Sequence, residues 1–400
     1  ANILYAKPAV DGVGDCSGWL DACLLQTALA NAVVGDEIWV AAGIHKPTQG
    51  TDRNATFELK NGVKLYGGFA GFETFREQRD FVNNVSILSG DLNGDDAGFA
   101  NNTENAYHVV VAGVTDSTLD GFTVTAGNAN VGNSCPGTAC GGGMILLSSN
   151  PVVRNVIFRY NSAVYGGGMF VYGDANPVLV DVTFDGNIAT NYGGGLANVF
   201  SSPELTNVTF SNNSASHCGG LMNYSGNALI TNATFNKNTA SAVGGGMCSV
   251  DDSRPVLNNV TFSENSAVLD GGGMANFAVE TFTNNPQLSN TIFWGNTAAS
   301  SAQIYTLDEH STSYINHSVV QDGCPVGSIC SNIITGDPLL GLLGGYGGRT
   351  QTIPLLTGSA AIDMGDDSVC FSTDQRGVAR SQGQHCDIGA FEYVPQIVTI

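Results

Sequence analysis

Apolar and polar positions along the middle of the chain recur in a fixed order, at neither a helical nor a simple alternating spacing. An apolar residue is followed by any residue, Asn or Asp, two more, Phe, two more, Asn, any residue and Ala. The copies read "VRNVIFRYNSA", "LVDVTFDGNIA", "LTNVTFSNNSA", "ITNATFNKNTA", "LNNVTFSENSA" and "LSNTIFWGNTA", with a degraded copy, "LDGFTVTAGNA", from Leu119. The Phe column is Phe158, Phe184, Phe210, Phe235, Phe262 and Phe293, with separations of 26, 26, 25, 27 and 31 residues. The Asn column is Asn161, Asn187, Asn213, Asn238, Asn265 and Asn296. No apolar stripe at a 3.6-residue period supports helical repeats, and the period is too short for propeller blades. It predicts an all-β, single-stranded parallel β-helix of about 26 residues per coil, each coil stacked about 4.8 Å from the next. Leu205, Val208 and Phe210 are then expected inside, over Leu179, Val182, Phe184 and under Leu257, Val260, Phe262. The Asn amides are expected to bond their counterparts above and below where the chain bends.

Glycines share the period. "GGGM" begins at Gly141, Gly166, Gly244 and Gly271, "GGGL" at Gly193 and "CGGL" at Cys218. A phosphate cradle is needed once and opens a helix. Repeated copies leading into short apolar stretches describe corners, where glycine turns sharply and lets coils approach.

Outside this core the patterning changes, and four regions are expected. Residues 1–43 form a cap and first coil: "DACLLQTALANAV" reads as a short helix with Asp21 as N-cap and Leu24, Leu25, Ala28 and Leu29 as its apolar face, and "GDEIWVAAG" as the first coil. Residues 44–118 are irregular coils, 119–300 the regular repeats, and 301–400 a turn-rich terminal module. The ends, "ANILYA" and "PQIVTI", are strand-like, and open solenoid ends must be capped or joined to another chain.

Composition narrows the partners. Of 400 residues 14 are Lys or Arg and 35 are Asp or Glu, giving a net charge of −21. That charge repels phosphodiesters and anionic lipid, so nucleic acid is not an expected partner. No apolar run approaches the roughly 18–20 residues of a bilayer span, so no membrane insertion is expected. The chain has 10 cysteines and no CxxC, which points to disulfides in an oxidising, secreted or cell-surface setting rather than to zinc. Four local pairs are natural: Cys16 with Cys23, Cys135 with Cys140, Cys324 with Cys330, and Cys370 with Cys386. The pairing of Cys218 and Cys248 is left open. A start at "ANILYA" is consistent with a mature form cut after a small residue.

The opening "LLQTALANAVVGDEIWVAAG", the "LYGGFAGFET…QRD…ILSGDLNGDD" block, the "NVTFSENSA" and "GGGM" coils and the ending "SAAIDMGDD…TDQRGVAR…CDIGAFE" resemble one family over nearly the whole chain. It is the bacterial secreted β-helix type similar to polymorphic outer-membrane proteins, with a C-terminal choice-of-anchor module. The resemblance implies a right-handed helix at or outside the cell surface. It brings no reaction and no catalytic residues. The sequence ends at Ile400 without a hydrophobic tail and basic end, so a usual covalent sorting signal is not expected.

Candidate chemistry is sparse. In "DLNGDD", Asp91, Asn93 and Asp95 alternate as calcium ligands do, although Asp96 stands where Gly is usual and no distant bidentate Glu is evident. An Asx-rich turn is the plainer reading. Arg159 with Asp185, and Lys237 with Glu264, occupy shared columns one coil apart and read as surface charge pairs. Asp251, Asp252 and Asp270 read as turn residues. Thr183, Thr209, Thr234 and Thr261 are expected to form an outward column beside Asp181, Asn207, Asn232 and Asn259, a surface suited to ice or a crystalline glycan, or simply good strand residues. No set of three acids with an Arg falls on adjacent coils. The expectation is a non-catalytic structural or adhesive element that joins itself head to tail into a filament. The alternative is a carbohydrate-active β-helix, a lyase or hydrolase, or a glycan-binding surface.

Overall fold

A computed structural model describes residues 1–113, 116–278, 282–307 and 309–395. Its contacts divide the chain into two units, residues Ala1–Pro203 and Glu204–Ile400. Each is built from coils whose strands pair in parallel, and the fold is a right-handed parallel β-helix.

In the first unit Ile3–Ala6 pairs with Glu37–Ala41, which pairs with Lys64–Phe69 and through it with Thr118–Asp120, Val152–Arg154 and Val178–Val180. A second file runs Phe57–Glu58, Val110–Gly113, Met144–Leu147, Met169–Tyr172 and Leu196–Val199. The coil from Lys64 to Thr118 is about twice the length of the later ones. Its surplus lies in loops, including the one between Ser86–Ser89 and Val110–Gly113. In the second unit Glu204–Ser211, Leu229–Asn236 and Val256–Ser263 stack in register, followed by Gln287–Ser289 and Ile292–Trp294, then Ser313–Val320 and Ser328–Ile334.

Repetition puts like side chains over like. Phe158 and Phe184 stack at 5.1 Å in the first unit. In the second, Phe210, Phe235, Phe262 and Phe293 stack at 4.6, 4.5 and 4.4 Å with nearly parallel planes. All six rings, and the Leu and Val positions expected beside them, are fully buried. The Asn column is buried too. Asn187 Oδ1 accepts from the main chain and amide of Asn161, and Asn238, Asn265 and Asn296 repeat that pattern in the second unit. The earlier Asn/Asp column has a separate cause. Asn155, Asp181, Asn207, Asn232, Asn259 and Asn290 have φ of 51–57°, and short Asx side chains tolerate this left-handed kink between the strand segments of one coil. At the glycine corners the first residue has positive φ, as at Gly166 (65°). The third leaves no room for a side chain: a Cβ on Gly168 would lie 2.5 Å from the Gly195 carbonyl oxygen.

Three expectations at the start of the chain are corrected. The helix is Leu25–Asn31, preceded by Leu24 with no side-chain cap. Asp21 closes a separate 3-10 turn, Trp19–Asp21, and accepts the Val13 N–H instead of capping the helix. The apolar face is Leu25, Ala28 and Leu29, with Leu24 half-buried. The first rung is Ile3–Ala6, not the "GDEIWVAAG" strand. Its outer edge is covered by its own chain, through bonds from Tyr5 N to Cys16 O, Cys23 N to Tyr5 O and Lys7 N to Cys23 O. Of "PQIVTI", residues 396–400 lie outside the described residues.

Five disulfides are formed: Cys16–Cys23 and Cys135–Cys140 in the first unit, and Cys218–Cys248, Cys324–Cys330 and Cys370–Cys386 in the second. Cys218 takes the positive-φ corner position of its coil and staples it to the next.

Candidate metal centre

The long first-unit loop over residues 90–106 carries the densest group of carboxylates among the described residues. Asp91, Asp95, Asp96 and Glu104 bring one ligand oxygen each to within 4.8 Å of one another. The loop folds this way because Asp91 ties its own turn, its carboxylate accepting from the main chain of Gly94 (2.5 Å), Asp95 (3.3 Å) and Asp96 (3.2 Å). Two cations then pin the loop to the coil through its carbonyls. Lys46 Nζ donates to Leu92 O at 3.1 Å, and Arg53 donates to Asn105 O at 2.6 Å and Asn128 O at 3.0 Å. The Arg53 guanidinium also lies 4.1 Å over the Tyr107 ring. Both cations bond carbonyls rather than the four carboxylates, so the negative charge stays concentrated on the acids.

Burial pushes the Asp96 carboxyl up to about 6. The hydrogen bond from Asn105 works against this shift, and the nearby Asp91, Glu104 and Asp95 add to it. Asn105 is 1% exposed and donates to Asp96 Oδ2 at 2.7 Å. Three buried acceptors here have no hydrogen-bond partner: Asp96 Oδ1, Glu104 Oε1 and Asn105 Oδ1. Acceptors crowded together without donors suit a hard cation with six to eight oxygen ligands, and calcium matches that donor set better than zinc.

Half of this centre is apparent from sequence. Asp91 and Asp95 belong to it. Asn93 is exposed, and the groups that converge with those two are Asp96 and Glu104. In the sequence Asp96 stands out only as a departure from the EF-hand pattern, and Glu104 is brought back by a loop with no periodic signal. A second grouping, Asp367, Cys370 and Cys386, offers no thiolate because its cysteines are joined to each other.

The threonine column does not form an open face in the second unit. Thr209, Thr234 and Thr261 are buried under the C-terminal segment. Thr209 Oγ1 donates to Gln351 O, Thr234 bonds the Gln375 side chain, and Thr261 Oγ1 accepts from Ala390 N. Asn232 and Asn259 likewise donate to Thr373 O and Asp387 O. The protein occupies that face itself, so an ice- or glycan-binding ladder there is ruled out. Thr183, in the first unit, is half-buried. Of the expected charge pairs, Lys237 and Glu264 form an exposed contact at 3.3 Å, and Arg159 lies in register with Asp185. Asp251 and Asp252 sit in a turn, both with positive φ.

No protein-family profile matches the sequence, and no curated protein matches it. Among solved structures, the chain is similar to the pectate lyase Pel9A, with a TM-score of 0.59 and 12% identity over 98% of this chain and 96% of that one. The complex of XylC with xylose aligns with a TM-score of 0.38 and 8% identity, over 98% of this chain and 99% of that one. The Pel9A likeness extends to the fold.

Proposed function

We propose that this protein is an extracellular or cell-surface carbohydrate-active β-helix that engages an acidic polysaccharide through a calcium ion held by Asp91, Asp95, Asp96 and Glu104. The observation that carries the reading is the set of buried carboxylate oxygens without donors, beside Lys46 and Arg53. A divalent cation resolves their repulsion, and its remaining coordination positions can take a uronate carboxylate. The neighbour titled a pectate lyase supports this direction because a β-helix of the same kind there serves a polysaccharide. Five disulfides fit an oxidising compartment, as does the resemblance of the sequence to secreted surface proteins. No helix among the described residues is long and apolar enough to cross a membrane.

The test is titration calorimetry with polygalacturonate and alginate, in calcium and in excess chelator, with ultraviolet absorbance followed for unsaturated products. Calcium-dependent binding is expected. Product release would assign a lyase, and binding alone an adhesin. No binding to either polymer would refute the reading.

A second reading, a structural element that polymerises head to tail, is supported by the strand Ser328–Ile334. Its outer edge has no strand partner among the described residues, and it leaves Ile329 58% exposed. The covered edge of Ile3–Ala6 works against the complementary contact. Electron microscopy of native material showing only single particles would remove this reading.

A further inference from the structure

One corner of the first unit places a bulky side chain where the backbone disfavours it. The residue before each ladder Asn has positive φ: Gly186 at 65°, Asn212 and Lys237 at 55°, Glu264 at 58°, Gly295 at 70°, and Tyr160 at 52°. Glycine and asparagine accept this conformation, whereas other L-residues are disfavoured by about 1–2 kcal/mol. Lys237 and Glu264 pair with each other. Tyr160 instead is 40% exposed and belongs to a built group. The Arg159 guanidinium lies 4.7 Å over its ring, and Arg159 Nη2 donates to its hydroxyl at 3.2 Å. Arg159 Nε is buried without a hydrogen-bond partner. Phe99 meets the ring edge-on at 6.1 Å, and on the next coil a Cβ at Gly186 would lie 2.9 Å from it.

Phe99 sits on the same loop as the carboxylates, three residues after Asp96, so this corner and the acidic centre are a few sugar lengths apart at most. The loop is also anchored here by Asn128, which donates to Asn102 O and accepts from Ser162 Oγ, two residues beyond Tyr160. Lys and Arg number only 14 in a chain of net charge −21, and the Arg159 guanidinium, stacked on an exposed ring, complements an anion.

We infer that Phe99, Arg159 and Tyr160 form a subsite for one anionic sugar residue, the aromatic rings taking its C–H face and the guanidinium its carboxylate. The inference rests on the acidic-polysaccharide reading above and specifies where the polymer runs after leaving the cation.

The experiment measures polygalacturonate affinity in calcium for the wild type, Tyr160→Asn, Tyr160→Phe and Arg159→Gln, with melting temperatures alongside. Tyr160→Asn is expected to weaken binding tenfold or more while melting at or above the wild-type temperature, because Asn relieves the backbone. Tyr160→Phe keeps the ring and stays within about twofold. Arg159→Gln weakens binding of polygalacturonate more than binding of a partly methyl-esterified polymer, which keeps carboxylates for the cation but presents fewer to the guanidinium. Wild-type binding that Tyr160→Asn leaves unchanged overturns the subsite alone. Wild-type protein that binds no acidic polymer overturns the subsite together with the reading beneath it. Loss of binding in Tyr160→Phe equal to that in Tyr160→Asn also overturns it, since the ring would then not be the contact.

Discussion

Replacing Asn265 by Ala tests whether the asparagine file holds the coils together. Its side chain makes four bonds in a fully buried position. Oδ1 accepts from the Asn238 main chain at 3.0 Å and from the Asn238 amide at 2.9 Å. Nδ2 donates to Phe235 O at 2.9 Å and to Asn296 Oδ1 at 2.9 Å. Truncation orphans two N–H groups of Asn238 and strips a donor from two carbonyls, in a layer packed under the phenylalanine stack. An orphaned buried donor costs about 1–3 kcal/mol, so two give roughly 2–6 kcal/mol, a large share of a typical 5–15 kcal/mol of folding stability. Urea unfolding should show this loss, and exchange of the Asn238 amide hydrogen should accelerate with it. Gln287→Ala, on an exposed side chain, should stay within about 0.5 kcal/mol. Asn265→Asp adds a sign test. A protonated acid can still donate to Phe235 O, whereas the anion cannot, and burial raises its folded pKa above the unfolded value. Its deficit should therefore be smallest below the unfolded pKa and grow as pH rises through the folded one. A loss under about 1 kcal/mol for Asn265→Ala, or protection of Asn238 unchanged, would refute the idea that the file satisfies the bend.

Three further outcomes are expected. Calcium at a hundredfold its dissociation constant should stabilise the first unit by about 2.7 kcal/mol, a gain that chelator removes and Asp96→Asn abolishes; calorimetric melting unaffected by chelator would count against the centre. Breaking Cys218–Cys248 by a double Ala substitution opens a 30-residue loop between coils and should cost about 3–4 kcal/mol on the chain-entropy account, read as a lower urea midpoint. The C-terminal segment should loosen with rising pH. Three buried carboxylates, Asp374, Asp387 and Glu392, face the guanidiniums of Arg376 and Arg380, and burial raises the surplus acid, Asp387, to about 7. A raised folded pKa gives stability that is whole below about 4 and lost as pH climbs through about 7. The melting temperature should fall between pH 6 and 8 in Asp96→Asn but hold level when Asp387→Asn is added to Asp96→Asn.

The features legible in the sequence are those the solenoid makes periodic. Stacking coils places residues one repeat apart in direct contact, so a column of aligned repeats is a column in space, and the stacking of Phe235 on Phe262 follows from their spacing alone. The Asx column is legible as a column but not as a cause. Its pattern suggests outward decoration beside threonine, whereas its role is to hold a left-handed kink.

What escapes the sequence is set by contacts that ignore the period. Thr234 meets Gln375, 141 positions away, and nothing in a strand-forming threonine announces that a later segment will cover it. An exposed-looking polar column and a buried one have the same composition when the covering segment supplies the hydrogen bonds. The acidic loop fails for the opposite reason. Asp91 and Asp95 lie close enough in sequence to suggest a ligand pattern, while Glu104 arrives only because Arg53 and Asn128 draw the returning strand of the loop onto the coil. Departures from the repeat therefore carry the proposed sites: an insertion that doubles one coil, and a tyrosine where other coils place glycine, asparagine, lysine or glutamate. In a solenoid the repeat fixes the scaffold, and chemistry has room only where the repeat is broken. That logic makes the doubled coil, rather than the regular rungs, the place where substitutions should separate binding from stability.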